Sequence, residues 1–120
     1  MSNKKILICD DDLGILDMLS LILDDTGYEI ITEHNSLNLS HIIQRISPDL
    51  IILDLWMPVL SGDQVLKSLR QNPSTQNLPV IVISASQEGK NIAHQAGATD
   101  YIAKPFDIDD LITKIGEQLT

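Results

Sequence analysis

The chain holds one cysteine, Cys9, in its 120 residues. No disulfide framework can form, and a lone thiol inside an apolar run is expected to be a small buried side chain, not a nucleophile. Basic residues are also scarce: 8 Lys and Arg against 17 Asp and Glu leave a net charge of −9. A surface of that sign disfavours unaided binding to nucleic acid or to an anionic membrane. Long apolar stretches are missing as well. The start, Met1 to Lys5, leads into a run of only Ile6 to Cys9 before three acidic residues, too short for a signal peptide or a membrane span, so a cytoplasmic protein is expected. No linker, repeat or low-complexity tract divides the chain.

What is present suits one packed domain. At 13.3 kDa, with 43% hydrophobic and 21% charged residues, the composition is that of an ordinary globular chain, and folding at this size buries roughly two-thirds of the surface exposed when unfolded. Continuous apolar runs occur at Ile6–Cys9, Leu50–Leu53, Val80–Ile83 and, more weakly, Tyr101–Ala103. Unbroken hydrophobicity indicates strands covered on both faces, as in a parallel sheet. A more polar run, Tyr28–Thr32, suits an edge. Between the runs lie helical stripes: Ile15, Leu16, Leu19, Ile22 and Leu23, ended by Gly27 at C′; then Leu39, Ile42, Ile43 and Ile46 before Ser47-Pro48; then Val65, Leu66 and Leu69 before Asn72-Pro73; and last Ile108, Leu111, Ile112, Ile115 and Leu119, capped by Asp107. Gln87 to Ala96 is the weakest helix, interrupted by Gly89 and expected to be the most mobile element. Strand and helix alternating five times predict an α/β fold with right-handed crossovers.

In an open parallel sheet, ligands bind beyond the carboxyl ends of the strands. The residues there are Asp10, Asp11 and Asp12 after the first run, Asp54 after the third, Ser84 after the fourth and Lys104 after the fifth. Clustered carboxylates repel each other, so either their pKa values rise or a cation sits among them. Magnesium suits one or two carboxylates while keeping a position for a phosphate oxygen. A carboxylate beside it can attack phosphorus to give an acyl phosphate, with Lys104 and Ser84 orienting the transferring oxygens.

Ile6-Leu-Ile-Cys-Asp10-Asp11, Leu53-Asp54-Leu-Trp-Met-Pro58, Ser84-Ala85 and Tyr101-Ile-Ala-Lys104-Pro105-Phe106 together resemble the signature of response-regulator receiver domains of two-component signalling, similar to chemotaxis receivers, from about Lys5 to the final helix. The resemblance implies a flavodoxin-like (βα)5 three-layer sandwich with strand order 2-1-3-4-5 and helices on both faces, formed by residues 1–120 as a single receiver domain without an output domain. It implies that Asp54 is the phosphoacceptor, Asp11 a direct Mg2+ ligand, Asp10 a ligand through water, the Trp56 backbone carbonyl a further ligand, Lys104 the phosphoryl counter-ion, and the bond before Pro105 cis. Ser84 and Tyr101 would be a switch pair, the ring turning inward behind the hydroxyl. A histidine kinase or histidine phosphotransfer protein would be the donor, and the face of the fourth helix, fifth strand and fifth helix would bind the output partner or a second copy. Nucleic acid and membrane are not expected to be touched directly. The chain would turn over no metabolite.

Plainer readings stand beside these. Asp12 is assigned as a helix N-cap, and acidic pairs such as Asp10 and Asp11 also favour helix starts. Tyr101 could be a surface aromatic. His34, His41 and His94 share no spacing and are assigned no relay role. Trp56 departs from the family in bulk and is expected at the mouth of the pocket, restricting water or a phosphatase; the stretch from Ser84 to Lys104 is shorter than usual. The competing functions are an aspartyl-phosphate phosphatase, which would need a second acid where Trp56 stands, a phosphorylation-independent interaction domain, and a flavin-binding protein, for which the acidic loops are unsuited.

Overall fold

The structure, a computed structural model, describes residues 4–119. Five strands, β1 (Lys5–Cys9), β2 (Glu29–Glu33), β3 (Leu50–Asp54), β4 (Val80–Ser84) and β5 (Asp100–Ala103), alternate with helices α1 (Leu13–Asp24), α2 (Leu39–Ile46), α3 (Gly62–Gln71), α4 (Gly89–Ala96) and α5 (Ile108–Leu119); a 3-10 turn, Ser36–Asn38, precedes α2. All neighbours in the sheet run parallel in the order β2-β1-β3-β4-β5. The expected flavodoxin-like order and the edge position of the polar second strand are both found.

The sheet is buried on both sides because its strands send alternate residues to opposite faces. Leu7, Cys9, Ile51, Leu53, Val80 and Val82 pack under α2, α3 and α4 through Leu39, Ile43, Val65, Leu66, Leu69, Ala93 and Ala96. Ile6, Ile8, Leu50, Ile52, Ile81 and Ile83 pack under α1 and α5 through Leu16, Leu19, Leu23, Leu111 and Ile115. Every residue of β3 and β4 is buried, and each such aliphatic side chain contributes about 1.5–3 kcal/mol relative to exposure. Two apolar layers thus hold the strand ends of β1, β3, β4 and β5 in one row.

Local chemistry sets the helix ends. The Asp12 carboxylate accepts from the Gly14 and Ile15 amides at 2.9 and 3.3 Å, capping α1 as expected. Asp107 accepts from the Asp109 amide at 2.8 Å at the start of α5. Two expectations need correction. Gly27 adopts φ 86° but lies beyond the C′ position, because α1 stops at Asp24 and the Thr26 amide and hydroxyl both donate to the Leu23 carbonyl. Gly89 does not interrupt α4; it is the first residue of that helix.

Arg70, in the last turn of α3, ties the far end of this layer. Its guanidinium donates to the carbonyls of Gly97 (2.8 Å) and Leu78 (2.7 Å), and at 3.3 Å to those of Thr75 and Gln76. Gly97 ends α4 with φ 101°, and a Cβ there would lie 2.9 Å from the Arg70 side chain. Glycine is required twice over, by conformation and by contact.

Candidate functional site

The parallel sheet delivers Asp10, Asp54, Ser84 and Lys104 to one edge. Asp54 and Ser84 are the last residues of β3 and β4, Asp10 directly follows β1, and Lys104 directly follows β5. Asp10, Asp54 and Ser84 are buried, Lys104 half-buried and Asp11 exposed. Backbone bonds continue beyond the strands and fix these positions: the Asp10 amide donates to the Glu33 carbonyl at 3.2 Å, and that of Lys104 to the Ser84 carbonyl at 2.8 Å. The Lys104-Pro105 bond is cis, as the resemblance implied.

Carboxylate oxygens of Asp10, Asp11 and Asp54 lie within 4.8 Å of one another. Lys104 Nζ donates to Asp10 Oδ2 at 3.1 Å and to Asp54 Oδ1 at 3.3 Å. Three carboxylates and one ammonium leave an excess of two negative charges when all are ionised. Burial, together with the Asp10 charge and against the pull of Lys104, raises the Asp54 pKa from 3.8 to about 7. Burial works to lower the Lys104 pKa, but Asp54 and Asp10 outweigh it, and the net shift is upward. The oxygen donors and the unbalanced charge fit a hard divalent cation, for which carboxylates are the natural ligands.

Ser84 Oγ accepts the Ser86 amide at 3.1 Å. The Tyr101 hydroxyl lies 3.2 Å from the Ser84 carbonyl and 3.0 Å from the Ser86 carbonyl, its single proton shared between them. The ring is already half-buried against the layer of α2, α3 and α4. Ser84 and Tyr101 are therefore brought together through the backbone of the loop after β4, not through side-chain contact. Trp56 lies two residues beyond Asp54 in the loop before α3, half-exposed at 50%. His34, His41 and His94 are exposed, and none belongs to the cluster of Asp10, Asp11 and Asp54.

The roles of Gly62 and Val59 escaped sequence reasoning. A Cβ on Gly62 would run into the Asp54 carbonyl oxygen, so this glycine lets α3 start directly against the acceptor strand; its signal was the Ser61-Gly62 pair, where Gln64 Oε1 also accepts the Ser61 amide at 3.0 Å. Cys9 Sγ donates to Met57 Sδ at 3.6 Å beneath the loop, and burial, with Glu33 and the site carboxylates, pushes this thiol up to about 12. It is a packing residue, as expected. Val59 takes φ 70° while 84% exposed, and the Leu60 amide donates across it to the Pro58 carbonyl at 2.8 Å, a strained γ-turn for a β-branched residue.

The site is an open acidic edge. A groove of about 460 Å³ between α2 and α3, lined by residues including Ser40, Gln44, Gln64 and Ser68, holds none of its residues. Among the described residues, no helix is long and apolar enough to cross a membrane.

Residues 6–116 match the family model of the response regulator receiver domain. The chain is 34% identical over 117 residues to the phosphate regulon transcriptional regulatory protein PhoB of Pseudomonas aeruginosa, covering 96% of this chain and 51% of that protein. It is 36% identical over 113 residues to sporulation initiation phosphotransferase F of Bacillus subtilis, covering 92% and 90%. The chain thus spans about half the length of the transcriptional regulators it matches. Among solved structures, the chemotaxis response regulator CheY4 of Vibrio cholerae superposes with a TM-score of 0.89 at 28% identity, covering 98% of this chain and 99% of that one. The Francisella response regulator 1452 receiver domain gives 0.87 at 33% identity, covering 97% and 96%.

Proposed function

Because the chain belongs to the response regulator receiver domain family, a signalling family of two-component systems, we propose that Asp54 is its phosphoacceptor and that the acidic edge is a Mg2+-dependent phosphoryl-transfer site. The observation that carries this reading is a buried carboxylate, Asp54, whose neighbours are two further carboxylates and one ammonium at 3.3 Å. A carboxylate in that setting is poorly solvated and strongly directed, which suits a nucleophile.

Asp11, Asp54 and the Trp56 backbone carbonyl would hold Mg2+, with Asp10 acting through a bound water. When bound, the ion supplies charge neutralisation, which keeps Asp54 ionised near neutral pH and screens the incoming phosphoryl oxygens. Asp54 Oδ forms a bond to phosphorus as the bond to the donor breaks, either P–N of a phosphohistidine or P–O of an acyl phosphate. The leaving group departs with the electron pair. Lys104 exchanges part of its contact with Asp54 for a phosphoryl oxygen, and Ser84 turns its hydroxyl to another. Such charge-assisted bonds contribute roughly 1.5–3 kcal/mol each.

A histidine kinase or a phosphotransfer protein is the donor in this reading. The output partner docks on the face of α4, β5 and α5, whose Tyr101 and α4 are linked to Ser84 through the intervening loop. A change from 1:99 to 99:1 would need about 5.5 kcal/mol of differential interaction, so one or two new bonds shift the population only in part. Self-phosphorylation and self-dephosphorylation in the cytoplasm would be the chain's only chemistry.

The test is intact-protein mass after incubation with Mg2+ and acetyl phosphate, in wild type and Asp54→Asn. A Mg2+-dependent phosphoryl adduct in wild type alone is the expected result. No adduct on a folded wild type that also fails to bind beryllofluoride would instead make this a phosphorylation-independent interaction domain.

A further inference from the structure

We propose that the groove between α2 and α3 is a binding site for a small, uncharged, amphiphilic ligand, one with an aliphatic body and hydroxyl or amide groups, separate from the acidic edge. The groove encloses about 460 Å³, within the roughly 300–1,000 Å³ range of small-molecule sites. Its floor is aliphatic. Leu39 and Ile43 of α2 and Val65 and Leu69 of α3 are buried along it, and Leu37, 57% exposed, forms an apolar lip. Hydrogen bonds fasten both ends: the Ser36 hydroxyl donates to the Leu60 carbonyl at 2.7 Å, joining the turn before α2 to the loop before α3, and the Thr75 hydroxyl donates to the Leu69 carbonyl at 2.7 Å, folding the loop after α3 back onto that helix.

The chemistry of the lining selects the ligand. Charged residues make up 21% of the chain, yet none lines the groove. The chain carries a net charge of −9, so an anion would be repelled and would meet no Lys or Arg in the lining. A cation finds neither a carboxylate nor an aromatic face there, and a flat ring has nothing to stack on. The rim offers instead two matched pairs at helical spacing, Ser40 and Gln44 on α2 and Gln64 and Ser68 on α3. Among the described residues the side chains of Ser40, Gln44 and Ser68 make no hydrogen bond, and Gln64 engages only its Oε1, which accepts the Ser61 amide at 3.0 Å. Neutral donors and acceptors on both sides of an aliphatic floor complement an aliphatic molecule that carries uncharged polar groups. The enclosed volume is that of such a molecule, whereas a protein partner takes a face of about 800 Å².

The test is a titration of the whole chain, followed by amide NMR, with octyl glucoside kept below its micelle-forming concentration and with octanoate of the same chain length. Octyl glucoside should give saturable shifts at the backbone amides of Ser40 and Ser68 and at the side-chain amides of Gln44 and Gln64. Octanoate should bind about tenfold more weakly, because its carboxylate finds no cation in the groove. Ser68→Glu, at an exposed position, puts a charge into the rim and should weaken octyl glucoside by roughly tenfold. Gln71→Glu, also exposed on α3 but outside the lining, should leave its affinity unchanged. Absence of saturable shifts at the groove, equal affinity for octanoate, or equal effects of the two substitutions would each overturn the proposal. So would broadening confined to groove residues that grows with protein concentration in the absence of any probe, since a second copy would then be the occupant.

Discussion

Without a divalent cation, the acidic edge should destabilise the folded chain as pH rises, and Asp54→Asn should remove most of that loss. The Asp54 carboxyl group has a folded-state pKa of about 7 against 3.8 when unperturbed, so between these values the folded chain binds more protons than the unfolded one. Stability from this group is therefore fully present below pH 3.8 and lost as pH rises to about 7. At 1.36 kcal/mol per pKa unit the whole effect is about 4 kcal/mol, and the part lying between about pH 5 and pH 8 is about 3 kcal/mol. Lys104 does not confuse the reading. Its pKa is shifted upward from 10.5, so its contribution stays constant across this window and would be lost only in more alkaline solution.

Urea unfolding in EDTA, near pH 5 and near pH 8, measures the effect. Wild type should lose about 3 kcal/mol relative to Asp54→Asn on going to the higher pH. Millimolar Mg2+ should restore wild type at the higher pH and affect the variant much less, since an ion that binds only the folded chain stabilises it by mass action. Comparing pH dependences avoids any difference in the local hydrogen bonds of Asn and Asp. Parallel pH dependences in the two proteins would refute the argument that desolvation and Asp10 together dominate at Asp54.

Trp56→Asn should speed loss of phosphate from the acceptor, because a bulky half-exposed ring two residues after Asp54 is replaced by a small polar group; decay of the phosphorylated chain followed by mass tests this, and equal decay rates would sink the role. Val59→Gly should stabilise the chain by about 1 kcal/mol, a left-handed penalty of roughly 1–2 kcal/mol being relieved against a glycine entropy cost of roughly 0.5–1 kcal/mol; a fall in Tm would show that the γ-turn is not strained. Arg70→Lys should cost about 2–3 kcal/mol, since an ammonium cannot span the carbonyls of Gly97 and Leu78 as a planar fork does. An unchanged urea midpoint would remove Arg70 from the account of the fold.

The strands were legible because burial on both faces leaves a continuous apolar run, and Leu50–Leu53 and Val80–Ile83 could be read as sheet centre with no further information. Asp54 and Lys104 were legible for a related reason: each is a charged residue at the end of a run that must be buried, and such a charge needs a partner. Gly89 was misread because its value lies in a contact with Ser84, whose Oγ a Cβ there would meet at 2.7 Å, and not in its helix propensity, so a rule about helix interiors predicted a break where the chain has a close approach. The end of α1 was misplaced for a similar reason. Gly27 carries the positive φ, but the Thr26 hydroxyl had already taken the Leu23 carbonyl.

The residues that could not be read are those whose roles depend on loops meeting in space. Nothing in the sequence marks Val59 for a positive φ; that follows from Leu55 and Met57 both being buried while Gly62 returns its amide to the Leu55 carbonyl at 2.8 Å, which forces the connection to turn tightly. Arg70 likewise serves carbonyls from the connections that lead into β4 and into β5. Its bond to Gly97 joins α3 to the C-terminal end of α4, while Gly89 sets the other end against Ser84. An α4 of eight residues pinned at its C-terminus can respond to Ser84 more readily by tilting about Gly97 than by sliding along its axis. Gly89 should therefore move further than Gly97 when beryllofluoride binds, and comparable displacement at both ends would mean that Arg70 does not anchor the helix.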